Sequence, residues 1–161
     1  TKILVKALSL ETNGSPKKFS DVKPSAWYYE YVNTASSLGI INGNTNGTFG
    51  PNNNITRDQM TKMIVLAFEK TVPFPAEAAQ KFSDVSKDYW AFGYINKASA
   101  TEIVKGFGTT FKPLNPATRA QATVMIHRGL SKEQSNLPDA EEVNAFLKAH
   151  ILKENSLVEA N

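Results

Sequence analysis

Apolar residues fall on helical spacing in six stretches of this chain. Ile3, Leu4, Ala7 and Leu8 mark one face over residues 1–10. Trp27, Tyr31, Ala35 and Leu38 mark a helix over 27–38, and Trp90, Tyr94 and Ala98 mark another over 90–100. Met60, Met63, Ile64 and Ala67 point inward from a helix that starts at Thr56, as Ala122, Met125 and Ile126 do after Thr118. The last stripe, Val143, Phe146, Leu147, His150 and Ile151, follows Leu137-Pro138 with Asp139 as its N-cap. Between the paired helices lie a short apolar step (Ile40-Ile41, Ile103-Val104) and a loop rich in Gly, Asn and Pro, the residues of tight turns.

The pattern repeats. FSDV opens at Phe19 and again at Phe82, with Trp27 and Trp90 at equal distances behind. The stretch from Thr48 to Ile64 returns from Thr110 to Ile126, one residue having been lost in the glycine loop. About twenty of roughly fifty aligned positions are identical, so the chain is a repeat protein with a period near sixty residues. TKILVKAL at Thr1 matches TKMIVLAF at Thr61 and TVMIHRGL at Thr123, giving three copies of the second helix. The reading divides the chain into four parts. Residues 1–18 are the last helix of a truncated first copy and a loop, 19–81 and 82–130 are two full copies, and 131–161 are a linker and an amphipathic helix. The chain starts in mid-helix, so a signal segment upstream is compatible with it.

Composition narrows the chemistry. With 18 basic and 15 acidic residues the net charge is +3, too balanced for a nucleic-acid footprint yet suited to an anionic polymer. There is no Cys, hence no disulfide framework and no thiolate metal site. No apolar run approaches the roughly 20 residues of a membrane span. Asn42, Asn44, Asn46 and Gly47 have the rhythm of a calcium loop, but amides replace the carboxylates and Asn53 stands where a bidentate Glu belongs, so calcium is rejected. The two histidines form no catalytic or zinc motif, and no acidic pair recurs between copies. No cofactor or metal is expected, and catalysis is the weakest reading.

The residues that do recur are caps, turns, aromatics and one arginine. Thr56-x-x-Gln59 and Thr118-x-x-Gln121 both fit a capping box. Arg57 and Arg119 occupy the first helical position, where a cation opposes the helix dipole. Placement against local electrostatics, twice, suggests that they bind a carboxylate. Trp27 and Trp90 open an apolar stripe and are expected in the core with an edge reaching a groove, sugar stacking being the alternative. Asp21 and Asp84 are expected to accept from nearby backbone amides, with ligand contact as the second reading. Gly43 and Gly106 are turn glycines whose bare backbone can flank a ligand.

FSDV…W, T-F-x-P and T-R-x-Q, taken together and twice over (the last standing as ITRDQ at Ile55–Gln59 and ATRAQ at Ala117–Gln121), resemble the S-layer homology (SLH) domain across residues 1–130. The resemblance implies an all-α fold, with SLH-type helical repeats packed around a pseudo-threefold helical core. It implies an exported module at the bacterial cell surface that holds a protein to the wall without a covalent bond. The partner it implies is secondary cell-wall polysaccharide bearing a pyruvylated amino sugar, bound in grooves between repeats. The arginines of the family's ITRAE motif match Arg57 and Arg119, while Gln59 and Gln121 replace its glutamate, which preserves capping and removes a charge. The alternative is a structural module making protein contacts in a surface layer. A second chain or a cleaved fragment completing the first repeat is a further expected partner.

Overall fold

The computed structural model describes residues 1–12 and 16–135, whose regular secondary structure is helical, with long loops, two isolated bridges and no sheet. Its elements are α1 (Lys2–Ala7), α2 (Tyr29–Ser37), α3 (Arg57–Phe68), α4 (Phe92–Ala100) and α5 (Arg119–Ser135). The all-α expectation holds. The C-terminal stripe from Val143 to Ile151 lies outside the described residues.

Each first helix packs on the second helix before it in the chain, α2 on α1 and α4 on α3, and α5 packs on both α3 and α1. Second helices thus meet one another, as their interchangeable apolar faces require. Leu4 and Val5 of α1, Ile64, Val65 and Phe68 of α3, and Met125 and Ile126 of α5 are buried in one core. Gly129 lets α5 approach α3 closely, because a Cβ there would run into the Phe68 ring. Phe19 and Phe82 anchor the loops: Phe19 packs on Phe49 with centroids 5.7 Å apart, and Phe82 on Phe111 at 5.3 Å.

The first helices begin two residues later than their stripe suggests. Trp27 and Trp90 therefore stand in the turns ahead of α2 and α4, off the buried face. They are 71% and 51% exposed, which corrects the expectation of a core position. At the other end both helices close on a left-handed residue, Gly39 (φ 72°) or Glu102 (φ 61°), whose following amides return to the last turn.

The joint between copies is made at the start of α3. Capping leaves first-turn amides unpaired, and the next copy's loop supplies acceptors. The Arg57 amide donates to the Asn115 carbonyl at 3.0 Å and the Asp58 amide to that of Pro113 at 3.1 Å, while the Ala117 amide donates to the Ile55 carbonyl at 2.8 Å. The Arg57 side chain completes the joint. Its Nε donates to the Phe111 carbonyl (2.9 Å) and its Nη2 to that of Lys105 (3.2 Å). Its guanidinium carbon lies 4.4 Å from the Phe111 ring centroid and 4.9 Å from that of Phe107.

A second side-chain contact spans the same joint. Tyr89 donates its hydroxyl to Asp58, which also accepts from the Thr56 hydroxyl and the Gln59 amide. Asp58 is 1% exposed. Its counterpart in the next copy is Ala120, and the counterpart of Tyr89 in the copy before is Ala26.

Arg57→Ala is expected to destabilise the fold by about 3 kcal/mol, given 1.5–3 kcal/mol for each hydrogen bond from a charged donor. Arg119→Ala, at an exposed position, is expected to stay within about 0.5 kcal/mol of wild type. Urea unfolding of the two variants measures the difference, and equal midpoints would refute the joint.

Candidate functional site

The copies enclose a groove of about 530 Å³ between α1, the loop at 41–54 and the start of α3. Trp27 and Trp90 both line it. Each of them carries a tyrosine one turn on and a lysine from the second helix before it. Lys2 Nζ lies 5.2 Å from the Trp27 centroid and 5.4 Å from that of Tyr31. Lys62 Nζ lies 5.9 Å from the Trp90 centroid and 5.8 Å from that of Tyr94. The amides of Asn42, Asn44, Asn53 and Gln59 face the same space. The groove therefore offers flat aromatic faces, two ammonium groups and a bank of neutral donors and acceptors.

Of the ten candidate residues, Trp27, Trp90, Gly43 and Gln59 line this groove. Arg57 is 3% exposed and lies in the joint behind it. Burial pushes its pKa down and the Asp84 carboxylate draws it back up. Arg119 is exposed and, with Thr118, lines a separate, mostly apolar cavity of about 190 Å³ beside Met60, Met63 and Ile126. Gln59 and Gln121 accept from the Thr56 and Thr118 amides at 3.2 Å, closing both capping boxes.

Asp21 and Asp84 organise the loops from afar. Asp21 accepts from the Phe49 and Gly50 amides (2.7 and 2.8 Å), and Asp84 from those of Phe111 and Lys112 (both 2.7 Å). These amides lie in the distal glycine loop, so each aspartate staples the start of its copy to that copy's loop. Gly43 and Gly106 sit where the loops cross these stapled ends: a Cβ on either would clash with the ring of Phe19 or Phe82 and with the backbone carbonyl of Thr48 or Thr110.

The model of the S-layer homology domain matches residues 18–61 and 81–123. The chain belongs to the S-layer homology family. It is 34% identical over 140 residues to an endoglucanase of Bacillus sp. (strain KSM-635), covering 84% of this chain and 15% of that protein. It is 35% identical to the middle cell wall protein of Brevibacillus brevis, over 77% of this chain and 11% of that one. It is 40% identical to the surface layer protein of Brevibacillus choshinensis, over 65% and 10% respectively. The chain thus spans no more than about a seventh of any of these three relatives. A segment shared by a glucanase and two wall proteins is a surface-anchoring module, and this SLH segment belongs at the bacterial cell surface. Among the described residues no helix is long and apolar enough to cross a membrane.

Sequence reading missed Lys2 and Lys62. The signal was present: both follow Thr in the aligned starts TKIL and TKMI, whereas the third SLH copy has Val124. It missed Tyr31 as a groove residue, and Tyr94 as the ring beside Lys62, because both also fit a buried stripe.

Two groups set pH limits on the fold. The hydrogen bond from the Phe49 amide holds the Asp21 carboxyl below its ordinary 3.8, against the effect of burial and with help from Gly50. Its contribution is complete above the unfolded pKa and is lost as pH falls through the lower, folded one. Tyr89 is pushed up to about 12, by burial first and then by its bond to Asp58. Its contribution is complete below the ordinary value of 10.0 and is lost as pH rises towards about 12. Thermal melts should show Asp21→Asn converging on wild type below about pH 4, and Tyr89→Phe with a flatter decline than wild type above pH 10.0. Parallel curves would contradict both assignments.

Proposed function

We propose that this SLH segment anchors a surface protein to the wall by seating an anionic, pyruvylated amino sugar of secondary cell-wall polysaccharide in the groove between copies. The observation that carries the reading is the repeated arrangement of exposed Trp, Tyr and overlying Lys at Trp27 and Trp90. A pyranose presents a flat C–H face that packs on indole, and hydroxyls and N-acetyl groups that suit the Asn and Gln amides. An ammonium above the ring edge pairs with a carboxylate on the sugar as a point charge. Arg119, exposed at the start of α5, offers a planar fork to a second carboxylate. Arg57 contributes by holding the loop of the next copy against α3, and Asp21, Asp84, Gly43 and Gly106 keep the loop walls in shape. Catalysis has no part in this reading.

A second reading, protein contact through an exposed face of α5, draws support from the burial pattern of the second helices. Thr61 and Val65 are buried in α3, on which α4 packs, whereas their counterparts Thr123 and His127 are exposed. A partner chain or fragment carrying a first helix of this type would cover that face. Sedimentation of the chain alone and with such a fragment tests it, and absence of any complex would dismiss it.

Titration with purified wall polymer, before and after chemical removal of pyruvate, tests the first reading. Tight binding to the intact polymer and loss on depyruvylation are expected. Trp27→Ala and Lys62→Ala should each weaken binding roughly tenfold, about 1.4 kcal/mol, with unchanged melting. Binding indifferent to both pyruvate and Trp27 would refute the groove.

A further inference from the structure

The loop that walls the groove carries a reactive dipeptide. Asn-Gly occurs at 42–43 and 46–47 among the described residues, and at 13–14 outside them. An asparagine followed by glycine can cyclise, because no side chain shields the glycine nitrogen from the asparagine's own side-chain carbonyl carbon. The nucleophile is the deprotonated backbone amide, whose charge resides largely on the oxygen of the same peptide unit. Two things favour the reaction: a glycine nitrogen with no hydrogen bond to give up, and a stabilising group on that oxygen.

The two described pairs differ in both respects. At 46–47 the Gly47 amide donates to the Asn44 carbonyl at 3.1 Å. The Asn46 side chain is pinned, its Oδ1 accepting from the Thr48 amide at 3.2 Å and from the Thr48 hydroxyl at 2.7 Å. At 42–43 both residues are exposed, and among the described residues nothing bonds the Gly43 amide or the Asn42 side chain. The oxygen of this peptide unit, the Asn42 carbonyl, accepts from Lys17 Nζ at 2.8 Å. An ammonium on that oxygen makes the Gly43 N–H more acidic and stabilises the anion left behind. The second copy places a cation in the same way, Arg57 Nη2 on the Lys105 carbonyl, but Lys105 has no side-chain amide to cyclise.

We infer that Asn42–Gly43 is a self-modification site, at which Lys17 promotes deamidation through a succinimide. Hydroxide takes the Gly43 amide proton, and the nitrogen attacks Cγ of Asn42. The N–Cγ bond forms, the Cγ–Nδ2 bond breaks, and Nδ2 leaves as ammonia with a proton from water. Water then opens the ring at one carbonyl to give aspartate, or at the other to give isoaspartate. Either product puts a carboxylate in the wall of the groove, which Asn42 lines. Isoaspartate also lengthens the main chain beside Gly43, where the Phe19 ring and the Thr48 carbonyl leave no room even for a Cβ. The effect on binding rests on the groove reading: the new charge repels an anionic sugar, so the anchor weakens as the protein ages.

The test ages the folded chain in warm, mildly alkaline buffer and maps its peptides by mass spectrometry at intervals. Position 42 should convert several-fold faster than position 46. Lys17→Gln should slow position 42 several-fold and leave position 46 unchanged, while Lys17→Arg, which keeps a cationic donor, should hold the wild-type rate. Residue 17 is exposed, so the melts of both variants should match wild type. Conversion at 46 before 42, a Lys17→Gln chain as fast as wild type, or a Lys17→Arg chain as slow as Lys17→Gln would overturn the site. Asn42→Asp, standing for the aspartate product, should bind pyruvylated polymer roughly tenfold more weakly than Asn42→Gln, which keeps an amide. Equal affinities would overturn the ageing role. If wild type ignores the polymer altogether, the groove reading falls, and the conversion at position 42, read by mass alone, stands.

Discussion

The fold depends on how one helix start is satisfied. An α-helix begins with amides that have no partner inside it. In α3 a capping box answers part of that need and carbonyls of the next copy's loop answer the rest. The loop in turn is held in shape by the aspartate that opens its own copy and by a phenylalanine packed under its glycine. Arg57 threads this joint, its guanidinium bonded to two loop carbonyls and stacked against two loop aromatics. Because the joint fixes α3 against the loop that follows, it also fixes the angle between copies. The groove is the space which that angle leaves open.

Much of this was legible beforehand because the chain offers two independent copies of each signal. Helix positions, the capping boxes, the turn glycines and the all-α class follow from spacing and residue type. The Trp positions misled because an apolar residue one turn ahead of a stripe looks like its first member, whereas a helix that begins two residues later turns it outward. Arg57 shows a different limit. Local electrostatics marked it as misplaced for its own helix, but the groups that compensate lie 48 and 54 residues further on. Lys2 and Lys62 were visible in the alignment yet silent, since a lysine on a helix surface has many reasons to be there. Only the approach to the next copy's Trp and Tyr gave them a common meaning.

The copies share a scaffold and diverge at its surface. Positions that shape the backbone are held in both: the stapling aspartates, Gly43 and Gly106, the paired phenylalanines, the Thr and Gln of the caps. Positions that face solvent on the loops differ in charge and polarity, Asn42 against Lys105 and Asn44 against Phe107. A repeat whose interior is settled by packing can vary its exterior at little energetic risk. This is how one architecture comes to present an amide-lined wall on one side and a basic, aromatic one on the other.

The bond between Asp58 and Tyr89 gives the copies an order. Moved to the other joint, a copy bearing Asp58 would meet Ala26 and lose the tyrosine hydroxyl from a buried carboxylate, leaving it only the Thr56 hydroxyl and the Gln59 amide of its own copy, at a cost of about 1–3 kcal/mol. A copy carrying Ala120 set before Tyr89 would leave that hydroxyl facing a methyl group. The two units are therefore cousins rather than duplicates, keyed to their neighbours like teeth on a gear. Lengthening such an array by simple duplication of either unit would fail at the first new seam unless residue 58 or residue 89 changed with it.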